Sequence, residues 1–439
     1  MAYNRIKLLL SAVPFDFSES PIADRLLTPK LALEYASLLG EGAEGTALRS
    51  ILREDGGRGG LYYSRVFESD TYSQSIAKET ADEIFGDRLS MSPSALEKYV
   101  KCHFDYYCSY VLKLREDERN RFSFNDTGTL VHAVLEEFVR SVTDENGFNA
   151  ELAAQKLDSL PELIEKYAAE RLPAEADNAK MRHTLMRLKR LSRLLAGNVV
   201  GEFKNHGFVP TFFEMKIGYG EDAQIRPMEY RAENGKTAVF SGIVDRVDLM
   251  KRGSDVYVKV VDYKTGEKDF KIKDIESGLN VQILLYLFNI CYGHGESRAK
   301  MGCGDGGRLI PAGAVYLSSK IGSIKESAEC TEETVLRLAD GQIKRRGVVS
   351  GDDTVISKNG KEDKCVSPDC DGEDGGFAEL NQRLSETVRS IVGSLTGGDA
   401  SIAPREDGKS PCTYCGMRAV CRREQKIKYD EEEIENGIY

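Results

Sequence analysis

The sequence predicts an α/β fold, a mixed sheet flanked by helices, with helical additions and a cysteine-rich carboxy-terminal region. Three observations predict it. In "FFEMKIGYG", "TAVFSGIVDRVDLM" and "DVYVKVVDYKTG" apolar residues recur with a period of two, the pattern of strands with one buried face. On either side the period is helical, as in "GTLVHAVLEEFVRSV" and "NVQILLYLF". Near the end, "PCTYCGMRAVC" gathers three of the chain's 10 cysteines.

Composition bounds the answer further. At 439 residues, 41% hydrophobic and 30% charged, the chain has material for two or three globular domains with ample core. The early run "RIKLLLSAVPF" is too short, and too soon interrupted by Asp16 and Glu19, to be a signal peptide, and no later stretch is apolar enough to span a bilayer. A cytoplasmic protein without a membrane partner is expected. The net charge of −11 argues against a uniformly basic nucleic-acid binder, but the tail "YDEEEIENGIY" alone carries five acids, so local patches count for more than the total. No G-x-x-x-x-G-K-[ST] phosphate loop is present, which excludes an ATPase motor of that type.

In chain order, residues 1–90 mix short apolar runs with loops such as "EDGGRGG" and read as a separate amino-terminal portion or linker. Met91 to Lys113 reads as one helix, with Ser92 as its cap and Pro93 in the first helical position. A second helix runs from about Gly128 to Val142 with an apolar stripe of Leu130, Val134, Leu135 and Phe138. Residues 150–205 form a helical insertion. Within it Arg182, Lys189 and Arg193 lie along one side at i, i+7 and i+11, with Arg187 and Arg190 alongside. No acid interrupts the six positive residues from Lys180 to Arg193. Such a stripe suits phosphate tracking, although a solvated helix face explains it as well. The three strands follow, the last two joined by "KRGS" as a hairpin turn, then the helix "ESGLNVQILLYLFNICY" and the strand "GAVYLSS". Residues 318–376 are polar and glycine-rich and read as an irregular insertion. A last helix, "LNQRLSETVRSIVGSL", leads to the cysteines, and residues 428–439 form an acidic tail.

The segment "VVDYKTGE" places Asp262 and Lys264 two apart at a strand exit, where they share a face. A solvated salt pair would account for that alone. In "SGIVDRVDLM", however, Asp245 is expected on one face with Ile243 and Val247, and an acid among apolar neighbours needs a partner. Arg246 and Asp248 should face the other way, and Asp248 and Glu214 are expected at the surface or behind the site. If the two strands pair through the short turn, Asp245 and Asp262 lie side by side with Lys264 next to them. Two close carboxylates repel, and a divalent cation relieves that cost. Hard oxygen donors suit Mg²⁺, and a lysine can orient or deprotonate an attacking water and offset charge on a phosphorane-like transition state.

"GTLVHAVLEEF", "GIVDRVD", "VVDYKTG" and "NVQILLYLF" occur in that order. Together they resemble the G-x-x-x-H-x-x-L-E, G-x-x-D, D-Y-K and Q-x-x-x-Y pattern of the PD-(D/E)XK nuclease domain of the RecB and AddB family. The resemblance covers about residues 90 to 425 and implies a restriction-endonuclease-like core over residues 91–427. It implies Asp245, Asp262 and Lys264 as catalytic residues. His132, Asp245, Asp262 and the Tyr263 main-chain carbonyl would be metal ligands, with Glu136 one turn beyond His132. Gln282 and Tyr286, at i and i+4, would sit beside the site, positioning DNA or the lysine, although a structural hydrogen-bonded pair is an equal reading. A histidine alone on such a helix is ordinarily a core group, and the motif around His132 reverses that preference.

Cys412, Cys415 and Cys421 have C-x2-C-x5-C spacing, which is one ligand short of a complete site, and the last histidine in the chain is His294. Spacing alone admits zinc or iron–sulfur, while disulfides are unexpected in a reducing cytoplasm. The resemblance, closest to the AddB or RexB branch, implies a [4Fe-4S] cluster held by Cys102, Cys412, Cys415 and Cys421, stapling the domain's start to its end. A histidine follows Cys102 where that branch has proline, which leaves Cys108 as a competitor for the fourth position. Cys291, Cys303, Cys330, Cys365 and Cys370 have no assignment.

The resemblance further implies a Mg²⁺-dependent exonuclease acting on single-stranded DNA at DNA ends, with an AddA-type helicase–nuclease partner, in double-strand-break repair and recombination. Relatives of that branch are longer, so the chain reads as the carboxy-terminal part of such a protein or a short relative, with residues 1–90 a remnant of the helicase-like region. A non-catalytic DNA-end-binding role is the alternative.

Overall fold

The computed structural model describes residues 43–55, 75–114, 124–144, 147–171, 179–205, 207–264, 269–318, 345–352, 364–368, 376–405 and 410–421, with single positions at 32, 35, 36, 60, 63, 355 and 423. The acidic tail, Cys330 and Cys370 lie outside the described residues. The chain divides into two compact units, residues 1–74 and 75–439. In the first, the helix Ala43–Glu54 packs Leu48 and Leu52 with Ala32 and Ala36.

The second unit begins at Ser75 rather than after residue 90. Its first elements are α1 (Lys78–Phe85), which buries Ala81 and Phe85, and strand β1 (Arg88–Met91). Ser92 then caps α2 (Pro93–Lys101), its hydroxyl accepting from the Ala95 N–H at 3.1 Å. The long helix expected from Met91 to Lys113 is therefore shorter. Met91 ends a strand, and Cys102 is extended, with φ −166°, so that the chain turns there before His103–Tyr106 and a π-helical turn at Tyr107–Val111. Helix α3 (Phe124–Ser141) follows, then a two-stranded hairpin of β2 (Thr143–Asp144) and β3 (Gly147–Phe148). Two helices cover one side of the domain, α4 (Leu160–Arg171) and α5 (Ala179–Asn205).

The strand-rich part comprises β4 (Val209–Ile217), β5 (Glu229–Arg231), β6 (Thr237–Phe240), β7 (Gly242–Arg252) and β8 (Asp255–Lys264). Helix α6 (Gln282–Tyr292) and β9 (Leu309–Ser318) follow, then β10 (Arg345–Val349), β11 (Lys364–Val366) and α7 (Phe377–Thr396). The main sheet has the order β11-β10-β9-β8-β7-β4, and a second has the order β1-β6-β5. "TAVFSGIVDRVDLM" is thus two strands in two sheets, parted at Ser241. The 318–376 segment also differs from expectation, because β10 and β11 extend the main sheet. Gly347 permits it: a Cβ there would run into the Ala314 carbonyl of the neighbouring strand.

The sheet is mixed. β7 and β8 form the antiparallel hairpin turned by Gly253, at φ +62°, where a side chain would be strained. β8 and β9 are parallel, connected across the sheet by α6. On one face Val247, Val258 and Val260 pack with Leu284, Phe288, Leu384 and Val388 of α6 and α7. On the other, Val261, Tyr263 and Leu317 pack with Leu135, Val139, Leu195 and Val199 of α3 and α5. Both faces are covered, so the middle of β7 and most of β8 are buried and their charged residues have to be accounted for.

Candidate active site

β7 and β8 pair with Arg246 across from Val261, so the next rung sets Asp245 beside Asp262. Asp262 is 2% exposed. Its Oδ2 lies 2.7 Å from Lys264 Nζ, and its Oδ1 accepts from Gln282 Nε2 at 3.2 Å. Gln282 stands at the first position of α6 and turns its other amide atom to the lysine, Lys264 Nζ donating to Oε1 at 3.3 Å. Tyr286, one turn on, hydrogen-bonds Gln282 and is 3% exposed. The lysine also stands 5.7 Å from the centre of the Tyr316 ring, which faces it from β9.

From the other side α3 supplies His132, whose Nδ1 is 3.6 Å from Asp245 Oδ2. The same Oδ2 accepts from the Tyr263 main-chain N–H at 2.8 Å. Burial pushes both carboxyls up, Asp245 to about 6 and Asp262 to about 6, and for Asp262 the charge of Asp245 adds to the effect. Burial pulls His132 below the ordinary imidazole value, against the opposing charge of Asp262, and so favours the neutral, ligating form. The sequence-expected His132, Asp245, Asp262, Lys264, Gln282 and Tyr286 are thus brought together. Glu136 lies at the margin, paired with Arg140 at 2.7 Å, and its charge adds to that acting on Asp245.

Strand parity did not place every residue. Val244 and Val247 share one core while Ile243 is 47% exposed, so the expected face of Ile243, Asp245 and Val247 does not exist. The alternation breaks at the rung where Asp245 meets Glu214, because Glu214 has a left-handed backbone, φ +46°. Glu214 was expected at the surface or behind the site. Its carboxylate is exposed, but it stands across from Asp245 and raises the pKa values of both Asp245 and His132. It therefore joins the acidic face, and a left-handed glutamate has no sequence signature that would reveal it. Asp248, expected at the surface or behind the site, is fully buried, 2.8 Å from Arg246 Nε and 3.0 Å from Lys259 Nζ.

The donor set suits a divalent cation in chemistry. Two carboxylates whose ionisation burial opposes would regain it beside Mg²⁺, and Asp262 Oδ2 faces Lys264 without a well-aligned hydrogen bond. Among the described residues no three His, Cys, Asp or Glu side chains already surround one point closely enough to hold an ion, so the fit is one of donor type and burial.

The cysteines form a second centre. Cys102 closes α2, and the end of the chain docks on that turn: Phe104 N–H donates to the Ser401 carbonyl and Arg405 N–H to the Lys101 carbonyl, each at 3.0 Å. The thiols of Cys102, Cys415 and Cys421 interact electrostatically, Cys415 also with Cys412. Burial pushes the Cys415 thiol up, against the Met417 N–H, which donates to its Sγ at 3.4 Å. Cys108, on the π-helical turn, is fully buried, pushed up to about 11 by burial, and acts on the same group. These interactions bring the five thiols into one neighbourhood, but among the described residues no three of them surround one point closely enough to hold an ion, so the fit to a thiolate-held group is one of donor type alone.

On α5 the structure divides the basic stripe. Lys189 pairs with Glu165, and Arg193 Nη2 lies 2.7 Å from Asp158 Oδ1. Those two charges are paired with acids of neighbouring elements, and the side chains of Arg182, Arg187 and Arg190 are exposed.

A family model described as the PD-(D/E)XK nuclease superfamily matches residues 90–422. The chain is also similar to proteins named as one of the subunits of an ATP-dependent helicase/deoxyribonuclease. It is 25% identical to that of Acetivibrio thermocellus over 83% of this chain and 32% of the relative. It is 27% identical to that of Clostridium acetobutylicum, over 84% and 34%, and 25% identical to that of Bacillus anthracis, over 83% and 33%. The chain spans about a third of the length of these curated relatives.

Proposed function

The chain belongs to the PD-(D/E)XK nuclease superfamily, and on that premise we propose that it is a metal-dependent DNA exonuclease of the AddB type. The observation that carries this reading is the Asp245, Asp262, Lys264 and Gln282 arrangement at the adjoining ends of β7, β8 and α6. His132, Asp245, Asp262 and the Tyr263 carbonyl would hold Mg²⁺, with Glu214 as a further acid on the same side. Bound there, the cation would supply Lewis acidity toward a phosphodiester oxygen and a more acidic water.

The protein's own groups do the rest. Gln282 grips Lys264 and Asp262 at once and so fixes the distance between the ammonium and the carboxylate pair. Lys264 then offers a fixed positive charge, or a proton-transfer partner, where charge grows on the phosphorus oxygens. The Tyr316 ring faces Lys264, and the buried Tyr286 holds Gln282 in place. The exposed arginines of α5 suit the backbone of a single strand.

The substrate proposed is single-stranded DNA delivered by an AddA-type helicase partner at DNA ends, in the cytoplasm, during double-strand-break repair. The relatives' names, which join helicase and deoxyribonuclease, support that setting. Among the described residues no helix is long and apolar enough to cross a membrane. Cys102, Cys412, Cys415 and Cys421 are assigned a structural [4Fe-4S] cluster that closes the domain. Purified chain should shorten end-labelled single-stranded DNA in Mg²⁺, and EDTA should stop it. DNA binding without cleavage would instead make the chain a non-catalytic end-binding component.

A further inference from the structure

Behind the carboxylate pair, toward α5, lies a buried ion network that the proposed reaction does not use. Arg246 is completely buried. Its Nη2 is 3.2 Å from Glu202 Oε2 and its Nε 2.8 Å from Asp248 Oδ1. Lys259 Nζ lies 2.6 Å from Glu202 Oε1, and Arg345 Nη2 lies 3.6 Å from Glu202 Oε2. Well-packed apolar residues would often fill such a space with no loss of stability. Packing alone therefore does not explain five charged side chains here.

One bond leads from the network toward the carboxylate site. Arg246 Nη1 donates to the Tyr263 hydroxyl at 2.7 Å. Tyr263 is the residue between Asp262 and Lys264, and it touches the site twice more. Its main-chain N–H donates to Asp245 Oδ2 at 2.8 Å, and its ring centre lies 5.6 Å from that of His132. A shift of β8 at this tyrosine would move the support of one carboxylate and the wall behind the imidazole together. Glu202 and Asp248, in turn, hold the guanidinium by Nε and Nη2, which directs Nη1 toward the Tyr263 hydroxyl.

We propose that Arg246 is a positioning residue: through the Tyr263 hydroxyl it fixes the stretch of β8 whose main-chain N–H holds Asp245 and whose ring backs His132, so that both side chains keep their places for the metal. The inference rests on the metal-site reading above. It assigns the buried ions a task in metal binding rather than in the chemical step.

The test is Mn²⁺ binding to the full chain without DNA, followed by electron paramagnetic resonance or calorimetry. Tyr263→Phe keeps the ring and removes only the hydroxyl. It should weaken Mn²⁺ binding about tenfold, the lower end of what loss of a ligand-orienting hydrogen bond costs. The Mg²⁺ concentration for half-maximal cleavage should rise in step. Arg246→Lys keeps the charge that Glu202 and Asp248 need but not the reach. It should show a similar defect, and the double variant should lose no more than either alone, because both act through one bond. Parent Mn²⁺ affinity in Tyr263→Phe, with only a lower melting temperature, would overturn the proposal and leave the metal site standing. Parent affinity in Asp245→Ala would overturn the metal site itself and the positioning role with it.

Discussion

Gly242 and Tyr286 interlock: a Cβ on Gly242 would run into the Tyr286 hydroxyl, and the ring atoms behind it would also be crowded. The glycine's backbone is ordinary, so the need is for space. Tyr286 hydrogen-bonds Gln282, which bridges Lys264 and Asp262, so crowding at Gly242 reaches the lysine through two side chains. Gly242→Ala should destabilise the protein by about 1–3 kcal/mol, the usual cost of overpacking, and slow DNA cleavage. Tyr286→Phe in the same chain should restore part of the stability by removing the clashing oxygen. Urea unfolding of the two variants checks this; a Gly242→Ala protein as stable as the parent would contradict it.

The cysteine centre makes a prediction in colour. Protein purified without oxygen should be brown, with broad sulfur-to-iron charge-transfer absorbance. Changing Cys102, Cys412, Cys415 or Cys421 to Ala should bleach it and loosen the contact between Cys102 and the end of the chain. Cys108→Ala should keep the colour, although Cys108 is buried among the same thiols. A colourless protein with one zinc per chain would contradict the cluster and leave the nuclease reading untouched.

The buried network predicts an acid limit to stability. Burial alone would raise Glu202, but Lys259, Arg345 and Arg246 outweigh it and hold the carboxyl well below its ordinary value of 4.5. A group depressed in this way contributes stability that is complete above its unfolded value and is lost as pH falls through the folded one. The parent should therefore lose stability steeply below about pH 4.5. Glu202→Gln should be less stable at neutral pH and show a shallower acid dependence, as measured by melting temperature from pH 3 to 7. Parallel pH curves for the two proteins would remove Glu202 from this role.

On α5 the exposed Arg187 and Arg190 are the better test of DNA contact, because Lys189 and Arg193 already pair with Glu165 and Asp158. Replacing both arginines with Gln should weaken single-stranded DNA binding and flatten the salt dependence by about 1.4 in the logarithmic slope, at about 0.7 per phosphate contact. Fluorescence anisotropy across a salt series reads this directly. An unchanged slope would make the helix face solvent decoration or a docking surface.

Much of the site was legible because it depends on local periods. Asp262 and Lys264 are two apart on a strand, and Gln282 and Tyr286 four apart on a helix, so their convergence follows from backbone geometry. What escaped was set by distant chain. Asp248 and Arg246 were rightly turned from the metal side, but their burial depends on Glu202, more than forty residues earlier, on a helix that covers that face. Glu214 escaped because its left-handed backbone breaks the alternation from which faces are read. The break in the first helix at Cys102 was hidden too, since no Gly or Pro marks it and the turn is held by Ser401 and Arg405, far along the chain.

The most direct measurement is the behaviour of Lys264→Ala on end-labelled single-stranded DNA in Mg²⁺, with binding and cleavage followed in the same samples. Lys264 meets Asp262, Gln282 and the Tyr316 ring at the end of β8, and its side chain is only partly buried. The variant is therefore expected to fold and to bind DNA close to the parent's affinity, while cleavage falls by at least about a hundredfold, the scale of a lost acid–base or charge-stabilising group. A Lys264→Ala protein that digests the strand at the parent's rate would contradict the assignment of this site as the nuclease centre.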